Sequence, residues 1–269
     1  MKIGFIGCGK MGSALVRGVL AAEVCAPADI RVFDRIADAA VELSAETGAG
    51  LAGGIRDLAA ASDVVVLCVK PDDAPSALAE ASPDISGKLL VSIAAGLTIA
   101  SLQAAVPGSR VVRVMPNTGA LVREGAAAYA AGAGVTDADA AAVVKIFSSV
   151  GLAFAVKESL LDAATGLSGS GPAYVYLFIE ALSDGGVQMG LPRDLATRLA
   201  VQTVAGAAAM VAETGMHPAV LREMVTSPGG TTIAGLAELE RAGLRSGVIN
   251  AVRAATLRAQ ELGAPDARK

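Results

Sequence analysis

Over its first 157 residues the chain alternates short, nearly continuous apolar runs with stretches whose apolar positions recur every three or four residues. Ile3 to Ile6, Ile30 to Phe33, Asp63 to Val69, Leu89 to Ile93 and Arg110 to Met115 read as strands, and their near-continuous hydrophobicity is that of parallel strands buried on both faces. A helix over Ile36–Thr47 and a weak strand near Gly50–Ala52 fill the gap before the third run. Ala126–Ala130 adds an edge strand, Thr136 opens a helix to Ser149 with Asp137 and Asp139 in its first turn, and Leu152–Val156 closes the series. This is an α/β pattern, a Rossmann-type doubly wound sheet. Ligands of such sheets bind at the carboxyl ends of the strands, so the segments near residues 70, 95 and 117 converge on one face.

From Glu158 the strand signal stops. Helices are expected at Leu160–Gly166, Ala173–Met189, Arg193–Glu213, Pro218–Val225, Thr231–Ala242 and Val248–Leu262, with Leu191-Pro192 and His217-Pro218 as breaks. The chain therefore divides into a dinucleotide-binding part, 1–157, and an all-α C-terminal domain, 158–269. Arg193–Glu213 and Val248–Leu262 carry longer apolar stripes than a small helical domain needs for its own core, which predicts a homodimer that can serve as the unit of a larger ring.

Composition narrows the class. With 22 basic and 26 acidic residues the formal charge is −4, which gives no electrostatic case for nucleic acid or an anionic membrane surface. The longest uncharged stretch, Leu89 to Ser109, holds serine, glycine, glutamine and proline and reads as strand, loop and helix, so no membrane association is expected. A strand from Ile3 leaves no room for a signal peptide, and Cys8, Cys25 and Cys68 have no metal or disulfide spacing; both point to the cytoplasm.

The chemistry is concentrated first in Gly7-Cys8-Gly9-Lys10-Met11-Gly12, between the first strand and a helix start. In this setting Gly7 permits the turn, Gly9 lets the backbone approach a pyrophosphate, and Gly12 lets helix and strand pack closely, while the N–H groups of the helix start face the phosphates. Asp34 follows Gly12 by 22 positions, at the end of the second strand, where an acidic residue meets the ribose. A second cluster is Thr226-Ser227-Pro228-Gly229-Gly230-Thr231-Thr232 ahead of an amphipathic helix. It reads equally as an anion-binding nest for a carboxylate and as a helix start capped by threonine. The glycine run Gly166–Gly171 interrupts the helical half but lacks the Lys-Ser/Thr ending of a phosphate loop. The single histidine, His217, precedes a proline and reads as a surface or capping residue. Ketone reduction needs a strong proton donor, whereas a C=N bond can be protonated before hydride arrives; Lys70 and Lys157 keep the ketone option open.

With these residues in place, the chain resembles pyrroline-5-carboxylate reductase. The resemblance is carried by GFIGCGKMG, DVVVLCVKP, SIAAGLTI, RVMPNTGALVREGA, GLSGSGPAYVYLFIEAL, GLP at 190–192 and LREMVTSPGGTTIAGLAELE, in that order over nearly the whole length. It implies NAD(P)H-dependent reduction of 1-pyrroline-5-carboxylate to L-proline, the last step of proline synthesis, by a Rossmann domain and a helical substrate and dimerisation domain that interlocks with a partner subunit. It further implies that the backbone at Gly230, Thr231 and Thr232 holds the substrate carboxylate, that the Thr232 hydroxyl meets the ring nitrogen, and that Glu158 lies at the substrate pocket. Gly7 to Gly12 (Cys8, Gly9, Lys10 and Met11 between them), Val69, Lys70, Pro71 and Ala95 would line the cofactor. One departure is Asp34-Arg35, where many relatives carry small polar residues. The carboxylate favours a free ribose diol and the guanidinium can serve adenine or a phosphate, so NADH and NADPH both stay open, with Arg56 as a further phosphate contact. Two other readings share the pattern: a β-hydroxyacid dehydrogenase or related imine reductase, disfavoured by the lack of lysine between Lys157 and Lys269, and a non-catalytic dinucleotide sensor.

Overall fold

The computed structural model describes residues 1–264. β1 (Ile3–Ile6) turns at Gly7 into α1 (Lys10–Ala21), and β2 (Ile30–Phe33) leads into α2 (Ala37–Thr47). Then follow β3 (Gly50–Leu51), α3 (Ile55–Ala61), β4 (Val64–Leu67), α4 (Ala74–Ile85), β5 (Leu89–Ser92) and α5 (Ile99–Ala105). β6 (Arg110–Met115), β7 (Gly125–Ala131), α6 (Asp137–Ser148) and β8 (Gly151–Ala155) complete an eight-stranded sheet of order β3-β2-β1-β4-β5-β6-β7-β8.

Side-chain alternation along the central strands feeds two cores, one on each face of the sheet. Ile3, Phe5, Val64 and Val66 meet Leu15, Val16, Val19 and Phe147 on one side. Ile6, Val65 and Leu67 meet Leu58, Leu78, Ile85 and Leu102 on the other. This is the doubly wound arrangement that the runs of apolar residues predict.

The seventh strand departs from expectation. β7 is antiparallel to β6, but it is not an edge, because β8 pairs in parallel along its outer side from Gly125↔Gly151 to Tyr129↔Ala155. The close approach rests on glycine: a Cβ on Gly151 would lie 2.0 Å from the Gly125 carbonyl oxygen. α6 begins as its sequence suggests, with a capping box in which the Thr136 hydroxyl accepts from the Asp139 N–H and the Asp139 carboxylate accepts from the Thr136 N–H.

The helical part comprises α7 (Leu161–Ala164), α8 (Gly171–Gln188), α9 (Arg193–Thr214), α10 (Pro218–Met224), α11 (Thr231–Arg241) and α12 (Leu244–Gly263). The glycine run after α7 does not break the helical path as expected. Thr165–Gly169 continues as a π-turn, with the Ser170 N–H donating to Thr165 O at 2.8 Å. The hydroxyls of Thr165 and Ser168 donate to the carbonyls of Leu161 and Ala164 one turn back, so side chains hold a turn that glycine alone would loosen. α12 starts four residues before its apolar stripe, directly after Gly243 at φ +74°.

By compactness the chain forms two units. One is Met1–Ser170 together with the chain from Arg253; the other is Gly171–Val252. Lys157 follows the last strand of the sheet, and the first unit also takes in the residues up to Ser170. In the second unit only Ser183, Ala196 and Ala200 are buried, while Tyr176, Leu177, Met189, Met224, Val225 and Ile249 are more than 60% exposed. α9 is long and apolar enough, by length and composition alone, to cross a bilayer. The residues Pro265 to Lys269, which the sequence assigns to the helical domain, lie outside the described residues.

Candidate active site

At the carboxyl end of β1 the three glycines do different work. Gly7 sits at φ +105°, where a side chain would strain the backbone and a Cβ would lie 2.8 Å from the Cys68 carbonyl carbon. A Cβ on Gly12 would lie 2.0 Å from Gly7 O, so α1 can approach β1 only with glycine there. Nothing lies within 4 Å of a Cβ built on Gly9, the residue that precedes α1. Two glycines are therefore filled by the fold and the middle one faces open space. That is the shape a pyrophosphate needs beside the N–H groups of α1, which has no side-chain cap and no acidic residue in its first turn. The geometry fits a dinucleotide.

The loop is tied to the second strand. Asp34 Oδ2 accepts from the Cys8 N–H at 2.6 Å and Oδ1 from the Ile36 N–H at 2.8 Å. The Cys8 side chain is buried in the core beneath the loop; burial first, and then the Asp34 charge, push its thiol up to about 12. Burial likewise raises the Cys68 thiol. Both thiols stay protonated at neutral pH and serve as packing.

A cleft of about 370 Å³ opens beside this loop, lined by Gly7, Gly9, Asp34, Arg35, Val69, Lys70, Asp73 and Glu80 among others. Arg35 reaches across to Asp73, with Nη1 2.9 Å from Oδ1. Lys10, Met11 and Cys8 are absent from the lining, and Lys10 is exposed. Arg56 does not reach the cleft either. Its Nε pairs with Asp84 at 2.7 Å, outside the lining of this cleft.

A second cleft, of about 430 Å³, lies at the ends of β4, β5 and β6 and is lined by Pro71, Asp72, Ala95, Gly96, Arg113, Met115, Asp162 and Thr165 together with Ala259 and Leu262. The segment Val69 to Asp73 thus borders both clefts, and the predicted cofactor residues are shared between them: Val69 and Lys70 on one, Pro71 and Ala95 on the other.

Arg113, which lines this second cleft, is a residue that the sequence pattern did not single out. It is 7% exposed, with Nη1 3.6 Å from Glu158 Oε1 and Nη2 3.5 Å from Asp162 Oδ1. Glu158 Oε1 also accepts from the Ile99 N–H at 2.6 Å, at the first residue of α5. An arginine in an apolar strand is costly to bury unless it is paired. Glu158 and Asp162, four residues apart at the start of the helical segment, are the partners that make it affordable. Glu158 is therefore held by the fold as well as placed near the second cleft.

In the second unit, Gly229 at φ +66° turns the chain into α11, whose N-cap is Gly230. No side chain caps this start, no acidic residue lies in its first turn, and Gly230 N–H bonds back to Ser227 O at 3.1 Å. The threonine-capped alternative is thereby excluded. The amides of Thr231 and Thr232 project ahead of an eleven-residue helix, which is the donor set a carboxylate uses. His217 caps α10, its Nδ1 accepting from the Ala219 N–H at 3.2 Å.

Comparison with known proteins decides what these features amount to. The chain is 48% identical to pyrroline-5-carboxylate reductase of Methanosarcina acetivorans over 97% of its own length and 98% of that protein. It is 47% identical to the Arabidopsis thaliana enzyme of that name, covering 97% of this chain and 95% of the relative.

This chain belongs to the pyrroline-5-carboxylate reductase family.

Residues 158–262 match the family model described as pyrroline-5-carboxylate reductase dimerisation, and residues 2–96 match that of NADP oxidoreductase, coenzyme F420-dependent. Among solved structures, the Plasmodium falciparum pyrroline carboxylate reductase with NADP bound superposes with a TM-score of 0.88 at 38% identity, covering 98% of each chain. The Coxiella burnetii pyrroline-5-carboxylate reductase superposes at 0.93 and 37%, also over 98% of each. The protein is an NAD(P)H-dependent oxidoreductase, and the reaction of its family is the reduction of 1-pyrroline-5-carboxylate to L-proline.

Proposed function

We propose a division of labour for that reduction within residues 1–157 and 158–269. The first part holds the dinucleotide: adenosine in the cleft of Asp34 and Arg35, pyrophosphate at Gly9 within the Gly7–Gly12 loop, and the nicotinamide end along Val69, Lys70 and Pro71 toward Ala95. Lys10 and Met11 contribute through the backbone of the first turn of α1, and Cys8 only by fixing the loop, since its N–H is given to Asp34. The second part holds the substrate. The Thr231 and Thr232 amides, at the helix start that Gly230 caps, take its carboxylate, and the Thr232 hydroxyl faces the ring nitrogen; the Gly230 N–H, expected to share in this, is already given to Ser227 O. Glu158, whose carboxylate accepts from the Ile99 N–H at the start of α5, is the residue the first unit would offer toward substrate. The observation that carries this reading is Gly9, open where Gly7 and Gly12 are filled.

When bound, the dinucleotide supplies a hydride to the C=N carbon; the ring nitrogen, protonated as the iminium, becomes the amine. One imine, one reduced dinucleotide and one proton give one proline and one oxidised dinucleotide. Because the proton is in place before reduction, the site needs an oriented acceptor for N–H and no strong acid. The Thr232 hydroxyl oxygen can accept that N–H, while the backbone amides at the start of α11 hold the carboxylate.

The working form is a homodimer, and a larger ring built from dimers fits the extent of exposed apolar surface on α8, α9 and α12. A partner copy covering α9 accounts for its apolar character without a membrane, and the reaction belongs in the cytoplasm. The test is oxidation of NADH and NADPH by the purified protein with pyrroline-5-carboxylate, pyrroline-2-carboxylate and a semialdehyde acid in parallel. Turnover with the first supports the assignment. Turnover with the semialdehyde alone overturns it, and cofactor binding without any turnover makes the protein a sensor.

A further inference from the structure

Asp73 stands immediately before α4, in the position where an aspartate ordinarily accepts an N–H of the first turn. It makes no such bond. Its carboxylate turns instead to Arg35, 38 residues away in sequence, at 2.9 Å across the cleft. The carboxylates lining this cleft are Asp34, Asp73 and Glu80; the cations are Arg35 and Lys70. Asp34 is already engaged by two backbone N–H groups, so its charge is fixed in place at the end of β2.

The two nicotinamide dinucleotides differ at one point, a 2′-hydroxyl or a 2′-phosphate on the adenosine ribose. A guanidinium beside the acidic residue at the end of β2 is well shaped to hold that phosphate in a bidentate pair. Held by Asp73, Arg35 has its charge offset and part of its donor fork occupied. A phosphate arriving there also meets two further carboxylates.

We propose that Asp73 is a specificity-determining residue for the dinucleotide: by holding Arg35 it shifts preference from the 2′-phosphate to the free ribose diol. This rests on the reading of the cleft as the adenosine site.

The test is Asp73→Asn, which keeps the shape of the side chain and removes its charge. Dissociation constants for NADH and NADPH are measured by nucleotide fluorescence on the full chain without substrate, at low and high ionic strength. Affinity for NADPH relative to NADH is expected to rise about fivefold at low salt and the gain to shrink as salt screens the exposed pair. In Asp73→Asn with Arg35→Leu the gain should vanish, since it acts through the guanidinium. An unchanged ratio in the single variant overturns the proposal, as does a gain that survives without Arg35. A wild-type protein that binds neither dinucleotide overturns the adenosine reading itself, which is a different result from binding with an unaltered ratio.

Discussion

The two compact units of this chain are stabilised in opposite ways. In the first, Ile3, Phe5, Leu15, Leu58, Leu89 and Leu90 are at most 1% exposed on the two faces of one sheet. In the second, residues 171–252, the buried side chains are two alanines and a serine, and long helices display leucine, valine and methionine to their surroundings. A unit with the first character folds on its own account. One with the second keeps its apolar surface for something outside itself, and a second copy of the chain is the occupant proposed above. Stability should therefore be independent of protein concentration where the sheet is concerned and dependent on it where the helices are.

The largest effect should come from placing a charge on the helical surface. Leu177 on α8 is 67% exposed. In a lone chain Leu177→Asp should be nearly neutral, whereas in a dimer it buries an unpaired carboxylate at a cost of several kcal/mol. The variant should run at monomer mass by light scattering at micromolar concentration and lose most activity. A dimer of unchanged mass would mean that α8 does not face a partner.

Next comes the substrate end. Thr232→Ala keeps the amide at the start of α11 and removes the hydroxyl, so turnover should fall by about 1–3 kcal/mol with little change in KM. Wild-type turnover would leave α11 as a carboxylate holder only and move the search for the nitrogen's partner to Glu158.

At the cofactor end, Asp34→Asn removes the charge that disfavours a 2′-phosphate and should raise NADPH use relative to NADH about tenfold, or ~1.4 kcal/mol. Asparagine can accept with one side-chain oxygen, so one of the two N–H bonds is lost and both dinucleotides should bind more weakly. A fall in affinity without a change in ratio would assign Asp34 to holding the loop alone.

The smallest effect separates the units by pH. Burial would raise the Asp139 carboxyl, but hydrogen bonds from Arg110 and Thr136 outweigh it and hold the group at about 2, below its ordinary 3.8. The ionised form is thus favoured by the fold. Its contribution is complete above about pH 4 and is lost as pH falls toward 2. Asp139→Asn should lower stability by about 1 kcal/mol at pH 7, after allowing for the exposure of Arg110, and the difference should shrink below about pH 4 and disappear as pH falls through about 2. The effect should appear in the sheet-bearing unit at any protein concentration.

Much of this was legible in the residues. The parallel strands announce themselves because burial on both faces leaves no room for polar alternation, and the glycine loop because three glycines are required for three separate steric reasons. β7 was harder. Gly-Ala-Ala-Ala-Tyr-Ala-Ala reads as a strand, but whether another strand covers its outer side depends on a pairing that local pattern does not encode. The π-turn was hidden for a similar reason, since hydroxyls bonding back over a glycine run give it helical continuity that propensity denies. Arg113 had a usable signal: one arginine inside Val-Val-Arg-Val-Met, with two carboxylates at i and i+4 downstream. The Arg35–Asp73 pair had none, being two surface charges brought together by the turn after β4.

The bonds from Cys8 and Ile36 to Asp34 also bear on kinetics. Both are made within the chain, one from the glycine loop and one beside the end of β2, so the expectation is a loop that needs no rearrangement before capture. The observed rate of association in stopped-flow mixing should rise in proportion to nucleotide concentration, without levelling off, and differences in affinity among dinucleotides should reside in how fast each one leaves.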